Sequence, residues 1–171
     1  MKQFIFFWLI LVQFSESFSQ ESIFTIARSG TVEQVKELMK MQPNCINQKN
    51  SDGYTPLILA CYRSNNEVAV FFIENGAVID ENSPMGTALM AAIVKGNNDI
   101  VSLLLDKNAA VNVTDNQGIT PLMYAVQFKN SVVVKLLLSH KADKTKVDSK
   151  GKTAFEYAVF SGNEEIINLL K

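Results

Sequence analysis

The stretch "DGYTPLILA", Asp52–Ala60, decides the fold because the chain keeps returning to it. "MGTALMAA" follows at Met85–Ala92, "QGITPLMYA" at Gln117–Ala125 and "KGKTAFEYA" at Lys150–Ala158. The threonines at their centres, Thr55, Thr87, Thr120 and Thr153, fall 32, 33 and 33 residues apart. A fixed period of this length marks stacked supersecondary units, each burying its apolar face on the next.

The rest of the unit repeats with it. An alanine stands five residues after each threonine: Ala60, Ala92, Ala125 and Ala158. Eight further on comes a β-branched residue, Val68, Ile100, Val133 or Ile166, and three after that a large apolar one, Phe71, Leu103, Leu136 or Leu169. These offsets predict two short helices with a break between them. The breaks are written as "SNNE" (Ser64–Glu67), "GNND" (Gly96–Asp99) and "GNEE" (Gly162–Glu165), with "KNS" (Lys129–Ser131) in the same slot but lacking a glycine. Alanine at the fixed slot suits a close helix–helix approach that a larger side chain would overpack. Each threonine is placed to cap the first helix, and Pro56 and Pro121 occupy the first helical position, where a missing N–H costs nothing. Met90, Met123, Leu103–Leu105 and Leu136–Leu138 recur at helical spacing and are expected in the core.

The pattern G-x-T-P-L-x-x-A, a helix break, and a second helix leaving through "NGAVID" (Asn75–Asp80) or "NAAVN" (Asn108–Asn112) resembles the ankyrin repeat. The resemblance runs from about Glu21 to Lys171 and implies an all-α ankyrin-repeat solenoid of helix-turn-helix units joined by β-hairpin-like loops. Five units are expected, at 21–50, 51–83, 84–116, 117–149 and 150–171, with the terminal ones degenerate as caps. Two departures stand out. Lys141 replaces the glycine or asparagine of the second-helix exit, which predicts an irregular turn there. Ile58 and Met123 stand where the family often has histidine, so apolar packing is expected to substitute for any hydrogen bonding at that slot.

Residues 1–19 are written differently. Lys2 precedes nine uninterrupted apolar residues, Phe4–Val12, and a polar stretch with Ser17 and Ser19 leads to a cleavage site before Gln20. This is the layout of a secretory signal peptide, and the run is half what a membrane-spanning helix needs. The alternatives are an N-terminal helix buried on the first unit, or a retained apolar segment tethering the protein to a membrane. Export places the protein in a periplasm or outside the cell, and a short solitary member of this family with a leader fits a bacterial envelope protein.

Composition narrows the function. Sixteen basic against 17 acidic residues leave no excess positive charge to follow phosphates, which argues against nucleic acid. The locally basic stretch at 140–152 reads as a solvated rim. One histidine, His140, lies among lysines without cysteine or carboxylate neighbours, and no nucleophile elbow, phosphate loop or metal-ligand spacing occurs. No cofactor or metal is expected. Catalysis would have to rest on Glu156, Glu164 and Glu165, of which the last two begin a helix, where acids favour the dipole anyway. Cys45 and Cys61 admit a disulfide in an exported protein, but Cys61 follows the fixed alanine in a slot suited to a packed free thiol. The sequon at Asn112 coincides with an ordinary unit slot and reads as chance.

The resemblance further implies a concave side, made of the hairpin tips and the outward face of the first helices, that binds another protein. Carried over unit by unit, it points to Tyr62 and Arg63, Val94 and Lys95, Gln127 and Phe128, and Phe160 and Ser161. Tyr54, Ile119 and Lys152 precede the threonines, flanked by Asp52 and Gln117. Aromatic rings and arginine dominate interface hot spots, and rings repeated along a solenoid make an extended apolar groove. The competing reading has Phe128 or Phe160 folded onto a neighbouring helix. The expected protein is a monomer that binds a protein partner, remains free of the membrane once its leader is removed, and catalyses nothing.

Overall fold

The computed structural model describes residues 22–171; the expected leader, 1–19, lies outside the described residues. Among these residues ten α-helices follow one another in five pairs: α1 Ile23–Ser29 with α2 Val32–Met41, α3 Pro56–Arg63 with α4 Asn66–Glu74, α5 Ala88–Val94 with α6 Asn98–Asp106, α7 Pro121–Gln127 with α8 Ser131–Ser139, and α9 Ala154–Ser161 with α10 Glu164–Leu170. A 3₁₀ turn, Pro43–Asn47, leaves the first pair. The first helices of successive units pack in one row and the second helices in another, so each unit touches chiefly its neighbours. Among the described residues there is no strand, and only two isolated bridges, Ser83 with Gly86 and Val147 with Thr153, mark the hairpins.

The core is built from the fixed slots. Ala60, Ala92, Ala125 and Ala158 are all fully buried, as are Val68, Val133 and Ile166, with Ile100 at 2 %. Met90, Met123, Leu104, Leu105 and Leu137 are buried as expected, but Leu103, Leu136 and Leu138 are only half-buried. A second helix has a neighbour on either side and its own first helix beneath, and these three leucines sit at the edge of that contact. Ile58 and Met123, in the slot where histidine was looked for, are buried among apolar neighbours.

Caps form at three of the four repeated threonines. The Thr55, Thr120 and Thr153 hydroxyls accept from the N–H groups of Ile58, Met123 and Glu156 at 3.2–3.3 Å. Glu156 returns the favour by accepting from the Thr153 N–H at 2.7 Å. Thr87 caps nothing, and its buried hydroxyl has no partner. The same unit carries Ala88 in place of proline and a tighter hairpin. Ser83 pairs with Gly86, three residues on, whereas Asn50, Asp115 and Asp148 pair with residues four on, which accounts for the one short period.

Two ladders of asparagine and aspartate tie the units together. Asn47, Asp80 and Asn112 accept from the N–H groups of Val78, Ala110 and Asp143 in the next unit, each at 2.8 Å. Asn65 donates to the Gly30 carbonyl at 2.9 Å, while Asn97 and Asn130 donate to the side chains of Asn66 and Asn98 one unit back. The sequon asparagine is thus a rung of the stack. Cys45 and Cys61 are both buried and free, and burial pushes the Cys61 thiol up to about 12.

The turn at Lys141 is regular, contrary to expectation. Lys141 adopts φ 65°, and Ala142 donates to Leu137 at 3.0 Å, as Ala109 after Asn108 donates to Leu104 at 2.9 Å. Lys129 likewise takes φ 55° where Gly96 and Gly162 take 68° and 65°. The stack imposes the left-handed conformation whatever residue occupies the slot, at a cost of about 1–2 kcal/mol for a side chain with a Cβ. Replacing Lys129 or Lys141 by glycine should therefore raise stability by up to about 1 kcal/mol each, the relief of strain exceeding the added freedom of the unfolded chain. Urea unfolding followed by circular dichroism, with an unchanged m-value and a raised midpoint, would show this.

Candidate binding groove

The hairpin tips are held by their first polar residue. Asp115 Oδ1 accepts from the N–H groups of Gln117 and Ile119 at 2.8 and 2.9 Å, and Asp148 Oδ1 from those of Lys150 and Lys152 at 2.9 and 2.8 Å. Asn50 does the same for Asp52 and Tyr54 at 3.1 and 2.8 Å. At the two aspartate tips the second carboxylate oxygen is used as well. Tyr124 donates its hydroxyl to Asp115 at 2.7 Å, and Tyr157 donates to Asp148. Each aspartate therefore locks its tip to the first helix that follows. The Tyr124 hydroxyl is pushed up by burial and by Asp115, and the Tyr157 hydroxyl to about 12, chiefly by its hydrogen bond to Asp148. That same bond, with the Lys152 N–H, holds the Asp148 carboxyl below its usual range.

On the face made by these tips and the first helices lies a groove of about 310 Å³ that spans four units. Tyr54, Leu59 and Tyr62 form one wall, and Tyr124 and Phe128 the other. Met90, Ala91 and Val94 of α5 lie between them, with Met85 from the shortened tip at the edge. Four residues after the repeated threonine the successive units carry Leu59, Ala91, Tyr124 and Tyr157. The alanine in that row leaves the gap between the walls. Arg28, Arg63 and Asp52 are the charged groups that line it.

The expected binding residues are sorted by this geometry. Tyr54, Tyr62, Arg63 and Phe128 come together in the groove with Asp52 and Val94. Tyr62 is 38 % exposed and Phe128 51 %, so neither ring is folded away into the core. Lys95 stands 4.5 Å from the Tyr62 ring centroid, capping that wall with a cation–π contact. Phe160, 90 % exposed, lies apart from the groove, where Lys152 approaches it at 5.9 Å and Tyr157 at 5.8 Å. Gln127 and Gln117 are exposed and Ser161 half-buried, and none of them lines the groove. Ile119 must be withdrawn from the binding set: it is 7 % exposed and belongs to the core, because its apolar side chain gains by burial in a slot whose backbone is held the same way for Lys152. Lys152, in the same slot, stays in solvent.

Arg28, Met85, Ala91 and Tyr124 were not singled out from the sequence. The signal for Ala91 and Tyr124 was present in the row of residues four after the threonines; nothing in the repeat marks Arg28, which belongs to the degenerate first unit. Glu156 serves its capping box, and Glu165 pairs with Lys135 at 2.7 Å; neither they nor Glu164 line the groove. No cluster of three or more metal-ligating side chains occurs among the described residues. No helix among them is long and apolar enough to cross a membrane.

Comparison with known proteins agrees with the geometry. The profile of the family described as ankyrin repeats, three copies, matches residues 23–115 and again 107–171. The rice (Oryza sativa subsp. japonica) BTB/POZ domain and ankyrin repeat-containing protein NPR3 is 44 % identical over 50 residues, which is 29 % of this chain and 8 % of that one. The mouse (Mus musculus) ankyrin repeat and SAM domain-containing protein 6 is 35 % identical over 80 residues, 46 % of this chain and 9 % of its own length. Its rat (Rattus norvegicus) counterpart is 31 % identical over 100 residues, 57 % of this chain and 11 % of its own. The chain thus spans about a tenth of the length of these relatives.

The tyrosine–aspartate clamp has a measurable pH signature. The Asp148 carboxyl should titrate below an ordinary aspartate when followed by carbon NMR, and Tyr157→Phe should move its midpoint up toward the ordinary value. Because the folded value is depressed, the clamp's contribution is complete above the unfolded carboxylate's pKa and fades as pH falls through the folded one, so the wild-type advantage over Tyr157→Phe should shrink in acid.

Proposed function

The chain belongs to the ankyrin-repeat family, and from that premise we propose that it is a non-catalytic recognition protein that binds a protein partner through the groove and the aromatic stripe beside it. Ankyrin repeats are protein–protein interaction modules, generally without catalysis. The observation that supports the groove as the recognition surface is the exposure of Tyr62 and Phe128 along it, with Phe160 exposed beyond it on α9. Each of these rings keeps more than a third of its surface in solvent, and rings left on a surface beside arginine are the residue types that anchor interfaces. Residues 1–19 support action in the cell envelope or outside the cell, since their charge and apolar run follow the plan of a secretory leader. In that setting the protein would act as an immunity or inhibitor protein that occludes a toxin or enzyme, or as an accessory factor of an envelope enzyme.

Two measurements test the two halves of this reading. Envelope extract of the native cell passed over the immobilised protein should yield one enriched partner, lost with Tyr62→Ala/Phe128→Ala while circular dichroism shows that variant folded. Retention of the same partner by the variant would place recognition on another face. The intact mass of the protein recovered from that cell should correspond to a chain beginning at Gln20; a chain still beginning at Met1 would favour the membrane-tethered alternative.

A further inference from the structure

The groove is shaped to accept something narrower than a protein surface. Its volume, about 310 Å³, sits at the lower end of the roughly 300–1,000 Å³ typical of small-molecule pockets. The gap exists only because Ala91 stands between Leu59 and Tyr124, and its floor includes the fully buried Met90. Gly86 makes room for that methionine: a Cβ there would meet Met90 Sδ at 2.0 Å. A socket of this size with aromatic walls fits one large apolar side chain.

The charge at the edge is one-sided. Arg28 is half-buried and Arg63 exposed, and among the described residues neither forms an ion pair. Lys95 stands over Tyr62, and among the described residues Asp52 is the carboxylate lining the groove. A guanidinium partly withdrawn from water and engaged in no ion pair is poised for a carboxylate, which it can grip through two parallel bonds.

Resting on the proposal that this face recognises a protein, we infer that the socket at Ala91 receives a single tryptophan-, phenylalanine- or leucine-sized side chain from a partner segment, whose neighbouring carboxylates are held by Arg28 and Arg63. The ring fills the gap between Tyr62 and Phe128 and excludes water from the apolar walls.

Three capped tripeptides separate the contributions: acetyl-Asp-Trp-Glu-amide, its charge-reversed form acetyl-Lys-Trp-Lys-amide, and the ringless acetyl-Asp-Ala-Glu-amide. Each is titrated into the isotope-labelled chain and followed by amide NMR. The acidic tryptophan peptide should give saturable shifts at Tyr62, Ala91 and Val94, with a Kd of about 1 mM or lower. The other two should bind at least about ten-fold more weakly. Arg28→Glu/Arg63→Glu should invert the preference between the acidic and basic peptides, a result that mere loss of structure cannot produce. Ala91→Phe should abolish saturable shifts with all three. Equal response to the three peptides, no saturable shift at the socket, or an unchanged preference in the charge-reversed variant would overturn the inference. Shifts confined to Lys152, Tyr157 and Phe160 would also overturn it, yet leave the recognition face standing, since that face is judged separately by partner capture with Tyr62→Ala/Phe128→Ala.

Discussion

Everything in this molecule depends on how closely two helices approach at an alanine. Ala60, Ala92, Ala125 and Ala158 have no exposed surface, and the β-branched residue eight positions on closes over each from the second helix. With nothing larger than a methyl group at the crossing, the pair forms a thin plate that its neighbours can cover on both sides. A single added methylene group at such a site would force the plates apart and cost about 1–3 kcal/mol. The period in the sequence is the trace of this one packing requirement, written once per unit.

Stacked plates would still slide or rotate if apolar contact alone joined them. The directional bonds come from short polar side chains at the edges. Asn47, Asp80 and Asn112 fix their exit loops to the next, and Asn65, Asn97 and Asn130 fix the breaks of the second, third and fourth units to the unit before. On the groove side Asp115 and Asp148 hold their tips to Tyr124 and Tyr157. One wall of the groove is therefore an aromatic side chain clamped at its hydroxyl, so a partner docking there would meet a surface already ordered. A preordered surface loses less entropy on binding, which is where much of the affinity of a small contact area comes from.

The fold was legible because core slots tolerate few residue types, and a tolerance that narrow shows up as repetition. The groove was only half legible because surface slots tolerate many. Ile119 and Lys152 occupy one slot of the repeat, yet the first lies in the core and the second in water; the side chain's own chemistry, which the period does not carry, decides between them. The socket was harder still to see, since it comes from what Ala91 lacks relative to Leu59, Tyr124 and Tyr157. Lys129 and Lys141 teach the complementary point. Local propensity argued against a left-handed turn at both, and the stack imposed it regardless.

The position of the socket within the stack follows from the same packing. In α9, Phe155 is 37 % exposed and Val159 53 %, whereas the equivalent residues of the inner units, Leu57, Leu89 and Leu122, and Cys61, Ile93 and Val126, are buried to 2 % or less. The fifth unit thus has fewer apolar contacts holding it than the units before it, and local opening should be easiest there. Phe160, the most exposed ring among the described residues, sits on this less restrained helix, where it could adjust to a partner. Tyr54, Tyr62 and Phe128 sit on units packed from both sides. A site that must keep a gap one side chain wide belongs where both of its walls are held, and in this chain that is the middle of the stack.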